Sequence, residues 1–307
     1  MPSGRCTSTR SLQGLTAIVT GASSGIGKVT ARDLAGRGAR VILACRNKVK
    51  AKEVADEIIK VTSNQEVVVR QLDTSDLQSV RLFAREVLQT ETNIHILVNN
   101  AGIVAPMERH LSKDGFELTM ATNYYGHFLL TNLLLRRLME CAPSRIINVS
   151  SVAHFFAWKP DVKDLNFNNK YYNSLLAYSQ SKLCNILFTQ ELAEKLRGSG
   201  VTANSLHPGA VATDIFNKGE VSQSWLSRFT TQVLDFIIKL IGKSVESGAQ
   251  TSIYLAVSEE VEGVTGKYFT DCKETWCSLI ARDLSAARAL WEVSEVDVNL
   301  RPAEIFY

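Results

Sequence analysis

The chain has 307 residues, of which 45% are apolar and 21% charged, with a formal net charge of +3. This is the mix of a folded globular protein, and it excludes a disordered chain. The basic residues are scattered with no dense Lys/Arg run, so nucleic acid is not an expected partner.

The first stretch, "MPSGRCTSTRSLQG", has no apolar core of a secretory signal and no span, and Pro2 breaks the myristoylation pattern. It is expected to be a flexible lead-in over 1–14, ahead of a single domain over 15–300. Strands are predicted at 15–21, 39–45, 66–73, 94–100, 144–151 and 201–209, with 266–271 as a seventh. Helices are predicted at about 25–37, 48–62, 76–91, 115–140 and 175–198. The strands are apolar throughout rather than alternating, which suits a parallel sheet covered on both faces. Strand–helix alternation of this kind makes right-handed βαβ units, so the expected fold is an α/β, doubly wound Rossmann-type sheet of about seven mostly parallel strands. In such folds ligands lie beyond the carboxyl ends of the strands.

The six cysteines form no C-x-x-C pair and no His stands at metal spacing from them, so free thiols, a reducing compartment and no metal are expected. Asn148-Val149-Ser150 matches a glycosylation sequon but falls inside the apolar run "RIINVSS", which reads as a buried strand.

The strand ends carry the chemistry. "TGASSGIG" (20–27) leaves the first strand and opens the first helix, with glycines at 21, 25 and 27. Glycine lets the backbone approach a ligand closely, and a helix N-terminus offers free N–H groups to a pyrophosphate. An ordinary Gly-rich turn is the competing reading. The second strand ends in "ACRN", with Arg46 where an NAD-binding chain usually places a carboxylate. A guanidinium there suits a 2′-phosphate and favours NADP over NAD, against the plainer reading of a solvated arginine. Asp73 ends the third strand, where a carboxylate could hold the adenine end. "NNAG" (99–102) ends the fourth, where its amides and glycine offer donors and acceptors, and Asn99 reads equally as a cofactor contact and as a helix cap or turn.

"AYSQSK" (177–182) puts Tyr178 one helical turn before Lys182. Tyr124, Tyr125, Tyr171, Tyr172, Tyr254, Tyr268 and Tyr307 all lack a lysine at that spacing. "TGASSGIG", "NNAG", "NVSS", "YSQSK" and "HPGAVATD" stand in order at strand ends, and together they resemble the short-chain dehydrogenase/reductase family from about Leu15 to Phe269. "GHFLLT", "APSRIINVSS", "SKLCNILFTQELA", "GSGVTANSLHPG", "GAQTSIYLA" and "GKYFTDCKETW" further resemble its retinol dehydrogenase subfamily, the membrane-associated NADP(H)-linked retinal reductases.

The resemblance implies a catalytic tetrad of Asn123, Ser151, Tyr178 and Lys182, with Ser150 left as the neighbouring alternative to Ser151. It implies contacts to NADP(H) from Gly21, Ser23, Ser24, Gly25, Ile26, Gly27, Arg46, Asp73, Asn100, Ala101, Gly102, Tyr178, Lys182, Pro208, Gly209, Val211 and Thr213. A free tyrosine has a pKa near 10, and a lysine beside it favours the tyrosinate. Tyr178 is thus expected to donate a proton in reduction and accept one in oxidation, Ser151 to hydrogen-bond the substrate oxygen, and Asn123 to anchor a water that resupplies the proton.

"WLSRFTTQVLDFIIKLI" (225–241) reads as a helix with one narrow polar stripe, within a substrate-side lid around 210–245. A lid over an apolar substrate, an interfacial membrane helix and a buried or self-associating helix all fit it. The expected substrate is an apolar aldehyde or ketone, retinal/retinol first, with a broad carbonyl, steroid or lipid-aldehyde reductase and a non-catalytic nucleotide-binding scaffold as the other readings. Relatives of this type usually begin with an apolar anchor and "MPSGRCTSTRSLQG" is not one, so the expected location is the cytoplasm or, peripherally, the cytosolic face of the endoplasmic reticulum. His127 and His207 read as structural residues, and His154 as structural or lining the substrate pocket.

Overall fold

The computed structural model describes residues 4–209 and 243–307. One eight-stranded sheet runs in the order β3-β2-β1-β4-β5-β6-β7-β8. Its strands are β1 (Thr16–Thr20), β2 (Arg40–Cys45), β3 (Val67–Gln71), β4 (Ile96–Asn99), β5 (Ser144–Val149), β6 (Val201–Leu206), β7 (Tyr268–Thr270) and β8 (Lys273–Glu274). The first seven are parallel, and β8 folds back antiparallel on β7, one strand more than expected. Its two residues are too short to leave a periodic signal.

Side chains alternate between two apolar layers. Ile18, Ile42, Leu97 and Ile146 face one layer; Ala17, Val19, Val41, Leu43, Val98 and Ile147 face the other. Helices α1 (Gly25–Gly36) and α2 (Lys48–Thr62) cover the second layer. The first is covered by α3 (Leu77–Thr90), α5 (Gly126–Glu140) and α6 (Ser174–Lys195). Burial on both faces is why these strands read as unbroken apolar runs.

Two further helices complete the layers. α7 (Val245–Val257) packs on α1, and α8 (Leu284–Asp297) packs on α6. α8 drives Trp291 between Phe128 and Phe188, at ring-centroid distances of 4.9 and 5.6 Å.

The lead-in differs from expectation, because residues 4–14 lie on the body rather than free. Leu12 is buried and its N–H donates to the Arg37 carbonyl at 2.8 Å. Cys6 N–H donates to Gln250, and Arg10 pairs with Glu262 at 2.6 Å. One buried leucine and a few long-range hydrogen bonds suffice to order a segment that has no periodicity of its own.

The helix expected over 115–140 is built in three pieces: a short turn α4 (Leu118–Met120), a π turn (Ala121–Tyr125) and α5. A π turn inserts one residue's worth of slack, a device common at functional sites. Two contacts explain it here. Tyr124 and Tyr125 reach α8, sharing hydrogen bonds with Ser294 (2.7 Å) and Asp297 (2.5 Å). Gly126 lies flat against the chain after β3, and a Cβ there would fall 2.0 Å from the Thr74 carbonyl oxygen. Backbone cannot yield to that clash, so Gly126→Ala is expected to cost about 3 kcal/mol of stability or more. Gly36→Ala is the control. Its Cβ would meet only the Thr62 methyl at 3.7 Å, and an alanine in helix stabilises by about 0.5–1 kcal/mol. Urea titration of the two variants checks this; equal midpoints would refute the clash.

Candidate active site

Strand order reverses between β1 and β4, which pair side by side; the helices that follow them lie on opposite faces of the sheet and leave a crevice beyond the two carboxyl ends. Asn100 stitches the crevice floor. Its side-chain amide donates to the Thr20 carbonyl (2.8 Å), and the Asn100 and Ala101 N–H groups both donate to Thr20 Oγ1 (2.9 Å each). Above this lies the Gly-rich turn. Gly21 and Gly25 take left-handed φ values of +68° and +56°. A Cβ on Gly27 would lie 2.5 Å from Asn100 Nδ2 and 2.6 Å from the Gly21 oxygen. Positions 21 and 27 are therefore closed to any larger residue.

The helix that follows, α1, starts without the side-chain cap that most described helices have. Asn47, Asp76, Asn173, Ser244 and Asp283 each cap a helix with a side-chain oxygen. Ser24, the cap of α1, makes no such bond, so its helix N-terminus keeps N–H groups available. Ser23 lies near the Cys45 thiol, and Ile26 packs on the second apolar layer. Arg46 is exposed at the end of β2. Asp73 is partly committed, since its Oδ1 accepts from Ser75 N–H (3.0 Å) and Ser75 Oγ (2.7 Å).

The four expected catalytic residues converge on the same side of the sheet. β5 ends at Val149, and the two serines beyond it part ways. Ser150 is buried and donates to the Lys182 carbonyl at 2.6 Å. Ser151 lies beside the Tyr178 hydroxyl, close enough to favour its anion, and it accepts from Ala153 N–H at 3.1 Å. The structure thus places Ser151, not Ser150, beside Tyr178. Lys182 is buried; its ammonium lies 5.7 Å from the centre of the Tyr178 ring and donates to the Val149 carbonyl at 3.1 Å. Asn123 is buried in the π turn, where its Oδ1 accepts from Ile103 N–H (2.9 Å) and its amide donates to Ile103 O and Ser181 Oγ (3.0 Å each). Gly102 fits between the two: a Cβ on it would touch Asn123 Oδ1 at 3.3 Å and Lys182 Nζ at 3.5 Å.

Electrostatics differ from the expected simple lowering of the tyrosine pKa. Tyr178 is only half-buried by surface, yet protein atoms crowd it and burial raises its pKa, with the Ser151 hydrogen bond pulling the other way. Burial pushes Lys182 down to about 8. Each charged form is costly alone, and a tyrosinate formed beside the ammonium would relieve both penalties.

Pro208 and Gly209 follow β6, with Gly209 at φ +94° and its N–H donating to His207 Nδ1 at 3.1 Å. Val211, Thr213 and the expected helix 225–241 lie outside the described residues. A small apolar group of Ala105, Phe167 and Ala177, with Tyr172, Leu176 and Tyr178 against it, forms one wall of the site. His154 does not line it freely. Its Nδ1 donates to the Ser151 carbonyl at 2.7 Å and its Nε2 accepts from Ser278 N–H at 3.2 Å, which makes it a brace under Ser151. Asn99 is neither a cap nor exposed to the crevice: it is buried, donating to Thr131 Oγ1 and Asn148 Oδ1 at 2.9 and 2.8 Å. Among the described residues there is no cluster able to hold a metal ion, and no helix is long and apolar enough to cross a membrane.

The short chain dehydrogenase family model matches residues 15–162. Retinol dehydrogenase 11 of Homo sapiens is 48% identical, over 96% of this chain and 89% of the relative. Retinol dehydrogenase 13 of Homo sapiens is 45% identical, over 98% and 90%. Among solved structures, an uncharacterised protein from Mycobacterium Paratuberculosis superposes with a TM-score of 0.75 at 35% identity, covering 97% of this chain and 98% of the other. With relatives this similar along nearly its whole length, and with the crevice just described, the chain belongs to the short-chain dehydrogenase family.

Proposed function

We propose that the protein is an NADP(H)-dependent oxidoreductase that interconverts an apolar carbonyl compound and its alcohol, retinal and retinol foremost. The observation that carries this is the meeting of Ser151, Tyr178 and Lys182 at the mouth of the Gly-rich crevice. The names of the curated relatives support the substrate. A structural relative from Beutenbergia cavernae, 27% identical with a TM-score of 0.65 over 84% of this chain and 95% of its own, is described with bound NADP and supports the cofactor.

The residues present fit that cofactor. The turn over Gly21, Ser23, Ser24, Gly25, Ile26 and Gly27 leaves no room for a Cβ at its floor and ends on an uncapped helix, as a pyrophosphate requires. Arg46 would take the 2′-phosphate, and Asp73 the adenine end. Asn100, Ala101 and Gly102 would border the central portion, and Lys182, Tyr178, Pro208 and Gly209 the nicotinamide end. When bound, NADP(H) supplies the hydride in reduction and accepts it in oxidation. As negative charge grows on the substrate oxygen, Ser151 and Tyr178 both donate hydrogen bonds to it, and Tyr178 gives up its proton. The tyrosinate left behind is stabilised by the Lys182 ammonium. Asn123 holds the Ile103 loop against the lysine and, on this reading, the water that returns the proton.

A broader carbonyl, steroid or lipid-aldehyde reductase is the second reading, favoured by the exposed Phe156, Trp158 and Tyr171 (60%, 79% and 85%) in the segment that joins Ser151 to Tyr178. Peripheral membrane contact and self-association belong to the same proposal, through residues 225–241. We place the protein in the cytoplasm or at the cytosolic face of the endoplasmic reticulum, in keeping with six free cysteines.

Steady-state assays with NADPH and NADH against all-trans-retinal and a steroid ketone test both halves. NADPH with retinal is expected to give the highest kcat/KM, and Arg46→Ala to weaken NADPH about tenfold while leaving NADH unchanged, the loss of one charge-assisted phosphate contact. Preference for NADH would refute the cofactor; preference for the steroid would favour the broader reading.

A further inference from the structure

His127 is completely enclosed on α5, one turn after Asn123. Its ring nitrogens have unlike partners. Nδ1 lies 3.1 Å from the Asn123 carbonyl oxygen, which can only accept, so Nδ1 carries a proton. Nε2 lies 2.9 Å from Thr20 Oγ1. Burial holds the ring neutral at physiological pH by driving its pKa down to about 4, which leaves Nε2 an acceptor. The Thr20 hydroxyl has one proton to give, and His127 takes it; the Val98 carbonyl is farther, at 3.4 Å. The lone pairs of that hydroxyl receive the Asn100 and Ala101 N–H groups. A continuous, one-directional chain therefore runs from the "NNAG" strand end through Thr20 and His127 to the backbone of Asn123.

We propose that His127 is a positioning residue, locked as the Nδ1–H tautomer, which joins the floor of the Gly-rich crevice to the π turn that presents Asn123. It touches neither substrate nor cofactor. Its Nδ1 arm fixes the carbonyl and the orientation of Asn123, and so the turnover step. Its Nε2 arm fixes the Thr20 hydroxyl, and through Asn100 the backbone on which Gly21 and Gly27 rest, and so nucleotide affinity. The inference rests on the oxidoreductase reading for the meaning of turnover, but not for the tautomer.

The two arms can be cut separately. The amide of asparagine reproduces the Nδ1 donor and loses the Nε2 acceptor; glutamine does the reverse. His127→Gln is expected to lower kcat about tenfold more than His127→Asn does. His127→Asn is expected to raise the NADPH dissociation constant, followed by nicotinamide fluorescence, about tenfold more than His127→Gln does. Nitrogen-15 NMR of histidine-labelled wild type reads the tautomer without a substrate and without a variant, and Nδ1 should carry the only ring proton at neutral pH. Equal losses in both variants would reduce His127 to a packing residue and overturn the proposal, as would an Nε2–H or charged ring. Should neither variant fold, the tautomer decides. If wild type turns over no carbonyl compound, the functional reading falls, and the NADPH titration and the tautomer still judge His127.

Discussion

Tyr178→Phe is expected to reduce kcat/KM for carbonyl reduction about 10³-fold, the scale of losing a general acid. NADPH affinity and thermal stability should change little. The substitution deletes one oxygen from a half-buried side chain, so no cavity opens in the core. Ser151 is not orphaned by it, because it still accepts from Ala153 N–H. Ser151 alone remains to meet the charge on the substrate oxygen, and it brings no acid of comparable strength. Single-turnover oxidation of bound NADPH checks this, since it is blind to product release. A variant that keeps a tenth of the wild-type rate would show that the proton comes from elsewhere, and would remove Tyr178 from the mechanism.

Much of this site is legible because its parts are local. The glycines at 21, 25 and 27 announce a turn with no room for side chains, and the i, i+4 pair of Tyr178 and Lys182 needs only a helix to be meaningful. What was illegible is tertiary. The choice between Ser150 and Ser151 depends on how the chain bends after β5, and only the packing of α6 sends Ser150 to the Lys182 carbonyl. The π turn around Asn123 comes from Tyr124 and Tyr125 reaching a helix some 170 residues later, and from Gly126 lying on Thr74. Neither signature is periodic. His127 was within reach, since Asn123 and His127 share the spacing of Tyr178 and Lys182. An imidazole amid apolar residues on a helix reads as core, however, until its two partners are seen. The helices α7 and α8 leave little trace in the sequence for a related reason: α8 is held by Trp291 in an aromatic nest, a contact that no window of sequence contains.

Lys182→Met should separate function from stability more sharply than any other single change. Loss of the ammonium leaves the Tyr178 phenol raised by burial with only Ser151 to favour its anion, and kcat is expected to fall by about 10²–10³-fold. The same change should make the protein more stable at neutral pH. Burial moves the lysine from an ordinary 10.5 to about 8, a displacement worth up to roughly 3 kcal/mol against the folded state. Methionine fills nearly the same volume without a charge to desolvate. The Val149 carbonyl that Lys182 serves is not left bare, since Asn185 Nδ2 also donates to it at 3.2 Å. The sign has a pH signature. Between about 8 and 10.5 the unfolded chain binds the lysine proton more tightly than the folded one, so wild-type stability from this group rises as pH climbs through that window. The advantage of Lys182→Met should therefore be full at pH 7 and gone by about pH 10.5. Melting curves of both proteins across that range measure it. A wild type as stable as the variant at pH 7 would mean that the buried ammonium is already compensated in the resting site. In that case Tyr178 would gain little from it as the proton leaves.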